Sequence, residues 1–135
     1  PLNQKDIQYQ NYLKEKYQAY SNIKFVGKVP YEELPKFIKN YDVNFNSAGL
    51  GFFDKSVLET ISAGLINFYH NQDFNNLYQR HSNNYYFIDK DDLTEKINNL
   101  KFINDDDLKE LFLILNTNLE QHSLGSLSDR LRKFI

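Results

Sequence analysis

Cysteine and tryptophan are absent from this chain of 135 residues. Without cysteine there is no disulfide and no thiolate metal site, which fits a reducing compartment, so a cytoplasmic location is expected. An excess of one charge is missing too. Sixteen Lys and Arg face eighteen Asp and Glu, for a net charge of −2. With a sequence pI near 5.9, that balance argues against a general polyanion binder, and no nucleic-acid partner is expected. No apolar run approaches the roughly 20 residues that cross a bilayer. Pro1 opens a polar stretch with no apolar core behind a basic start, so no secretory leader is expected. Several catalytic motifs are absent as well. Ser47-Ala48-Gly49 lacks the Gly-x-Ser-x-Gly frame of a nucleophile elbow. No Gly-Lys-Ser/Thr of a phosphate-binding loop occurs. His70, His81 and His122 share no metal-ligand spacing. Asp89, Asp91 and Asp92 lack the Gly and Glu that a calcium loop requires. No metal and no cofactor are expected.

What is present is a globular composition. The hydrophobic share is 41% and the charged share 25%, enough apolar surface for one domain of this length to bury a core. We read residues 1–135 as a single domain, with 101–135 as a helical tail packed on it.

Apolar periodicity predicts the elements. Tyr9, Leu13, Tyr17 and Tyr20 predict a helix over 6–20. Residues 23–26 read as a short strand closed by Gly27. Leu34, Phe37, Ile38 and Tyr41 predict a helix over 31–40, in which Pro35 is tolerable only in the first turn. Residues 43–45 form a second strand. Val57, Leu58 and Ile61 mark a helix over 55–63 that Gly64 stops. Further strands are expected over 65–69 and 85–88, and a helix over 91–100. Leu108, Leu111, Phe112, Leu115 and Leu119 mark another helix, begun by a solvated Asn-Asp-Asp-Asp run. Leu127, Leu131 and Phe134 mark a last one, with Ser126 as its N-cap and Gly125 before it. Strands alternating with helices predict parallel βαβ units, whose ligands bind beyond the C-terminal strand ends. Of the histidines, His70 ends a strand at that edge; a satisfied loop histidine is the plainer reading. Tyr85-Tyr86-Phe87 suggests base stacking on composition, but a half-buried edge strand is the better reading.

The most informative stretch runs from Ile23 to Gly64. It holds Phe25-Val26-Gly27, Glu33-Leu34, Tyr41-Asp42-Val43, a glycine-broken loop, and Leu58-Glu59-Thr60-Ile61-Ser62-Ala63-Gly64. In this order and spacing the segments resemble the core of the C-terminal domain of retaining glycosyltransferases of GT-B architecture, the family 4 or group 1 type. The match is firm over 23–64 and loose to Ile88.

The resemblance implies a Rossmann-like, three-layer α/β/α domain with a mostly parallel sheet. It implies binding of a nucleotide-diphosphate sugar and transfer of a hexose to an acceptor hydroxyl. By resemblance Glu59 is the ribose anchor; an exposed helix glutamate is the alternative. The N–H groups of Lys55, Ser56 and Val57 would hold a phosphate or sugar oxygen. Asp54 and Lys55 read equally as site residues or as a plain N-cap and a solvated lysine. Gly27 and Lys28, after the first strand, correspond by resemblance to the loop against the nucleotide base; a simple structural turn is the alternative. The family's earlier Glu, on the donor sugar, falls here on Gly51, a departure shared with members that carry an Asp-Lys pair ahead of the Val-Leu-Glu. No catalytic residue is singled out.

The family domain begins with two strands and a helix, carrying an Arg and a Lys for the diphosphate, that are not found in this sequence. In the order 3-2-1-4-5-6 those strands lie between the 23–26 and 43–45 strands, leaving a gap of roughly 10 Å. The expectation is therefore a partial domain of a longer enzyme, inactive alone, whose partners are the upstream strands and an N-terminal acceptor domain. Any membrane association would be peripheral and run through the missing part. Two rivals stand beside this reading. One is a non-catalytic α/β interaction module derived from the same fold. The other is a receiver-like domain, disfavoured because the first strand carries no acidic cluster.

Overall fold

The computed structural model describes residues 3–52 and 54–123. The chain divides between Leu34 and Pro35 into two compact units.

The first unit is built on α1 (Gln4–Tyr17). Its start is set by a reciprocal cap: Asn3 Oδ1 accepts the Asp6 N–H at 3.0 Å, and Asp6 Oδ2 accepts the Asn3 N–H at 3.1 Å. Two free amides at the helix start are thereby satisfied. Lys14 and Lys16 complete the last turn, where cations suit the carbonyl end. The Lys16 ammonium also lies 5.6 Å and 5.4 Å from the ring centres of Tyr12 and Tyr17. No residue of α1 is buried. The helix stops earlier than the expected residue 20, because the chain turns there: Tyr20 N–H donates to Tyr17 O, and Ile23 N–H to Tyr20 O.

The strand expected over 23–26 does not form. Ile23, Phe25 and Val26 stay 41%, 41% and 53% exposed and join no ladder among the described residues. Their composition suits a strand, but a strand exists only as a pairing. The helix expected over 31–40 is also shorter. A 3-10 turn at Tyr31–Glu33 leads into α2 (Leu34–Ile38). Pro35 falls in the first turn of α2, where its missing N–H does no harm. The Asn40 amide then closes the segment on the carbonyls of Lys36 and Phe37.

The second unit is a mixed α/β body, mostly helical. β1 (Val43–Asn46) pairs in parallel with β2 (Ile66–Tyr69), in the register Val43↔Ile66 to Asn46↔Tyr69. The crossover helix is α3 (Lys55–Ser62), so β1-α3-β2 is a βαβ unit. Gly64, at φ +89°, ends the crossover where a side chain would be strained. Val57, Thr60 and Ile61 bury one face of α3. Two short helices follow, α4 (Asn75–Tyr78) and α5 (Ser82–Tyr85), then the longer α6 (Lys90–Asn99) and α7 (Asp105–Glu120). Asp89 and Asn104 cap α6 and α7 through their side-chain oxygens. The acidic run of residues 105–107 is exposed in the first turn of α7.

The core gathers Val57, Ile61, Phe68, Tyr69, Phe74 and Tyr78, closed by Leu111 and Leu115 of α7. α7 packs on α3 and α4, and the buried Asn118 amide donates to Leu77 O at 2.8 Å.

Residues 85–88 do not make the expected fourth strand. Tyr85 ends α5, and a single parallel bridge joins Tyr69 to Tyr86. The Asp89 cap of α6 follows at once, so too few residues stay extended to build a ladder. Of the expected strands, two form among the described residues. The last helix expected, with Gly125, Ser126, Leu127, Leu131 and Phe134, lies outside the described residues. None of the described helices is long and apolar enough to cross a membrane.

Candidate functional site

Beyond the C-terminal ends of β1 and β2 lies the loop joining β1 to α3, and two asparagines stitch it down. Asn46, at the end of β1, donates its amide to Asp54 Oδ2 at 2.8 Å and to Ser56 Oγ at 3.4 Å. Its own Oδ1 accepts the Ala48 N–H at 3.1 Å. Asn71, wholly buried just past β2, donates to Phe52 O at 3.0 Å and accepts the Asp73 N–H at 2.9 Å. Asp73 Oδ2 in turn accepts the Gly51 N–H at 3.1 Å. The side-chain amides of Asn46 and Asn71 thus have partners, and the loop is held at both ends.

Gly51 adopts φ +78°, with open space where a Cβ would stand. Backbone conformation, not crowding, calls for glycine here. A glutamate on this loop would carry that strain.

Asp54 is the N-cap of α3, and its Oδ1 accepts the Ser56 N–H at 2.9 Å. Burial pushes its carboxyl up, but the Ser56 N–H, the Asn46 amide and the Ser56 hydroxyl outweigh that and hold it below its ordinary value. The Val57 N–H donates to Asp54 O at 3.2 Å, and the Val57 side chain is fully buried. Two of the three amides expected to face a ligand are therefore used within the chain.

At about 100° per residue, Lys55, Glu59 and Ser62 share the face of α3 opposite Val57, Thr60 and Ile61. Lys55 is exposed and Glu59 half-buried. The Glu59 side chain makes no hydrogen bond or ion pair among the described residues. It rises about 6 Å above Lys55, one turn along the helix. The structure thus gathers Gly51, Asp54, Lys55, Ser56, Val57 and Glu59 around the loop and the first turns of α3. Gly27, at φ +77°, and the exposed Lys28 belong to the first unit.

Under the loop lies a polar ladder. The Asn44 amide donates to Asn67 Oδ1 at 2.7 Å and to Thr60 Oγ1 at 3.3 Å. Thr60 Oγ1 donates to Asn67 Oδ1 at 2.6 Å. Asn44 and Asn67 are register partners, so the ladder locks α3 to both strands. Past β2, His70 Nδ1 lies 2.9 Å from Phe87 O. A carbonyl only accepts, so Nδ1 carries a proton in this contact. The ring stacks on Tyr86 at 13°.

Sequence reasoning missed Asn46, Asn71 and Asp73 as loop anchors. Each sits beside an Asx-type turn, a signal that marks a loop without saying what the loop holds. No group of His, Cys, Asp or Glu among the described residues is placed to hold a metal ion. Comparison with protein-family models, with curated proteins and with solved structures finds no match to this chain.

Proposed function

We propose that the chain is the donor-binding part of a retaining glycosyltransferase with a Rossmann-like GT-B domain. It would bind a nucleotide-diphosphate sugar in company with an acceptor-binding domain, in the cytoplasm. One arrangement carries this reading. A parallel strand, an anchored glycine loop and a helix stand in sequence at the C-terminal sheet edge, with an unpartnered Glu59 one turn up the outward face. A carboxylate there can accept the paired hydroxyls of a ribose as charge-assisted hydrogen bonds. The free Lys55 ammonium lies on the same helix face, where it can meet a phosphate oxygen. The work of such a site is positioning and charge stabilisation of the leaving diphosphate.

Calorimetric titration with UDP, GDP and ADP and their hexose conjugates tests this. Saturable binding is expected for one nucleotide series. Glu59→Ala should weaken it at least about tenfold, or ~1.4 kcal/mol, with an unchanged urea midpoint because the side chain holds nothing in the fold. Binding that Glu59→Ala leaves intact would remove the ribose role.

A second reading has its own support. The Asp54 carboxylate and carbonyl already occupy the Ser56 and Val57 amides, the local economy of a domain that holds a fold and no anion. On that reading the chain is an α/β interaction module, and every nucleotide fails to bind while the protein stays folded.

A further inference from the structure

A hollow of about 380 Å³ opens between α5, α6, the 3-10 turn at Leu100–Phe102 and the start of α7. It shares no residue with the loop from Asn46 to Glu59. Its size falls within the about 300–1,000 Å³ of small-molecule pockets.

Tyr85 forms part of its wall and is 3% exposed. The ring is fixed in the core, 5.8 Å from Phe68 and 5.4 Å from Tyr78. The hydroxyl has no hydrogen-bond partner among the described residues, yet it is not among the fully buried orphan atoms, which are Tyr69 Oη and Asn75 Oδ1. It therefore meets the hollow. Burial, and then the Asp107 carboxylate nearby, push the Tyr85 pKa up to about 12. The group stays a neutral hydroxyl that can both donate and accept.

The rest of the wall narrows the ligand. Asp92, Glu95 and Asp107 face a single ammonium, Lys96, which is already paired with Asp92 at 2.5 Å. Within the wall an anion would meet three carboxylates and no free cation; Lys101 stands outside it, over the Phe102 ring. Asn83, Asn84 and Asn99 bring side-chain amides without partners among the described residues, each offering donors and an acceptor. Phe102, 74% exposed, presents a ring at the rim, one side of it met by the Lys101 ammonium 4.9 Å from its centre. Mixed donors and acceptors beside an aromatic face suit a hydroxyl-rich ring. A hydroxyl can donate to Asp107 and accept from Tyr85 at once; an ammonium can only donate and leaves the Tyr85 proton unmet.

We propose that this hollow binds a neutral saccharide, with one sugar hydroxyl bridging Tyr85 Oη and the Asp107 carboxylate. The site is independent of the donor-binding reading.

The test is a proton–nitrogen NMR titration of the full chain with glucose, galactose and N-acetylglucosamine, each taken to tens of millimolar, with spermidine and inorganic phosphate as probes of opposite charge. At least one sugar should give saturable shifts at the amides of Tyr85, Asn99 and Asp107, and phosphate none. Tyr85→Phe keeps the packed ring and should weaken sugar binding about tenfold without moving the urea midpoint. Should that variant fold poorly, Asp107→Asn, at an exposed position, is expected to weaken the same sugar by a similar factor. The proposal is overturned if no sugar saturates these amides, if spermidine alone does, or if sugar affinity survives in the folded variants.

Discussion

Asp54 decides more than any other single residue in the loop. It caps α3, takes the Asn46 amide and keeps its carboxyl below the ordinary range. Asp54→Ala should destabilise the fold by about 1–2 kcal/mol at neutral pH, from a lost cap and an Asn46 amide left only the longer bond to Ser56 Oγ. The folded-state pKa is depressed, so the stabilisation is present above the unfolded value of about 3.9 and is lost as pH falls through the folded value. Urea unfolding of both proteins across this range checks the sign: the gap between them should narrow in acid. A gap that widens in acid would refute the assignment. Gly51 makes a second case. Gly51→Ala meets nothing within 4 Å, so only φ +78° is in play, and a loss of about 1 kcal/mol is expected. An unchanged urea midpoint would show that the loop simply re-forms.

At the scale of elements, the βαβ unit is held by polar contacts as much as by apolar ones. Asn44, Thr60 and Asn67 join β1, α3 and β2 through short hydrogen bonds, and Asn67 is 1% exposed. Asn67→Ala would take the nearer acceptor from the Asn44 amide and remove the bond from the Asn67 amide to Leu65 O at 2.9 Å, while the Thr60 hydroxyl keeps Ser56 O at 2.8 Å. A loss of about 1–2 kcal/mol follows. Thr60→Val in the same background should cost more than Thr60→Val alone, because Thr60 Oγ1 is then the last acceptor left to the Asn44 amide. A double-mutant cycle by urea unfolding measures this coupling, and strict additivity would mean that the ladder does not act as a unit.

For the whole molecule, burial is concentrated in the second unit. The cluster of Val57, Phe68, Tyr69, Tyr78, Leu111 and Leu115 lies entirely there, while α1 buries no residue. A 14-residue helix without a buried face is marginal in water. Hydrogen exchange should find α1 amides opening locally, and those of Phe68 and Tyr69 exchanging only through global unfolding. Equal protection in the two segments would contradict this distribution.

Much of the fold could be read from local signals. α3, α6 and α7 show apolar residues at helical spacing behind Asp or Asn caps, and the caps at Asp54, Asp89 and Asn104 do what that chemistry predicts. Gly64 stops its helix for a reason internal to glycine. These features depend on neighbours within one or two turns, so the order of residues suffices to determine them. Pairing and polar enclosure are different, because their energy comes from groups far apart in the chain. Phe25-Val26 and Tyr86-Phe87 have the same strand-like chemistry as Ile66–Tyr69, yet the latter alone finds a ladder. Asn46, Asn71 and Asp73 read as loop residues until the fold sets them around residues 51–56. Tyr85 read as part of a strand until the fold set it in the wall of a hollow with α6 and the start of α7. Local caps and periodicity were written in the chain itself; which strands found partners, and which polar groups met across the interior, depended on long-range packing.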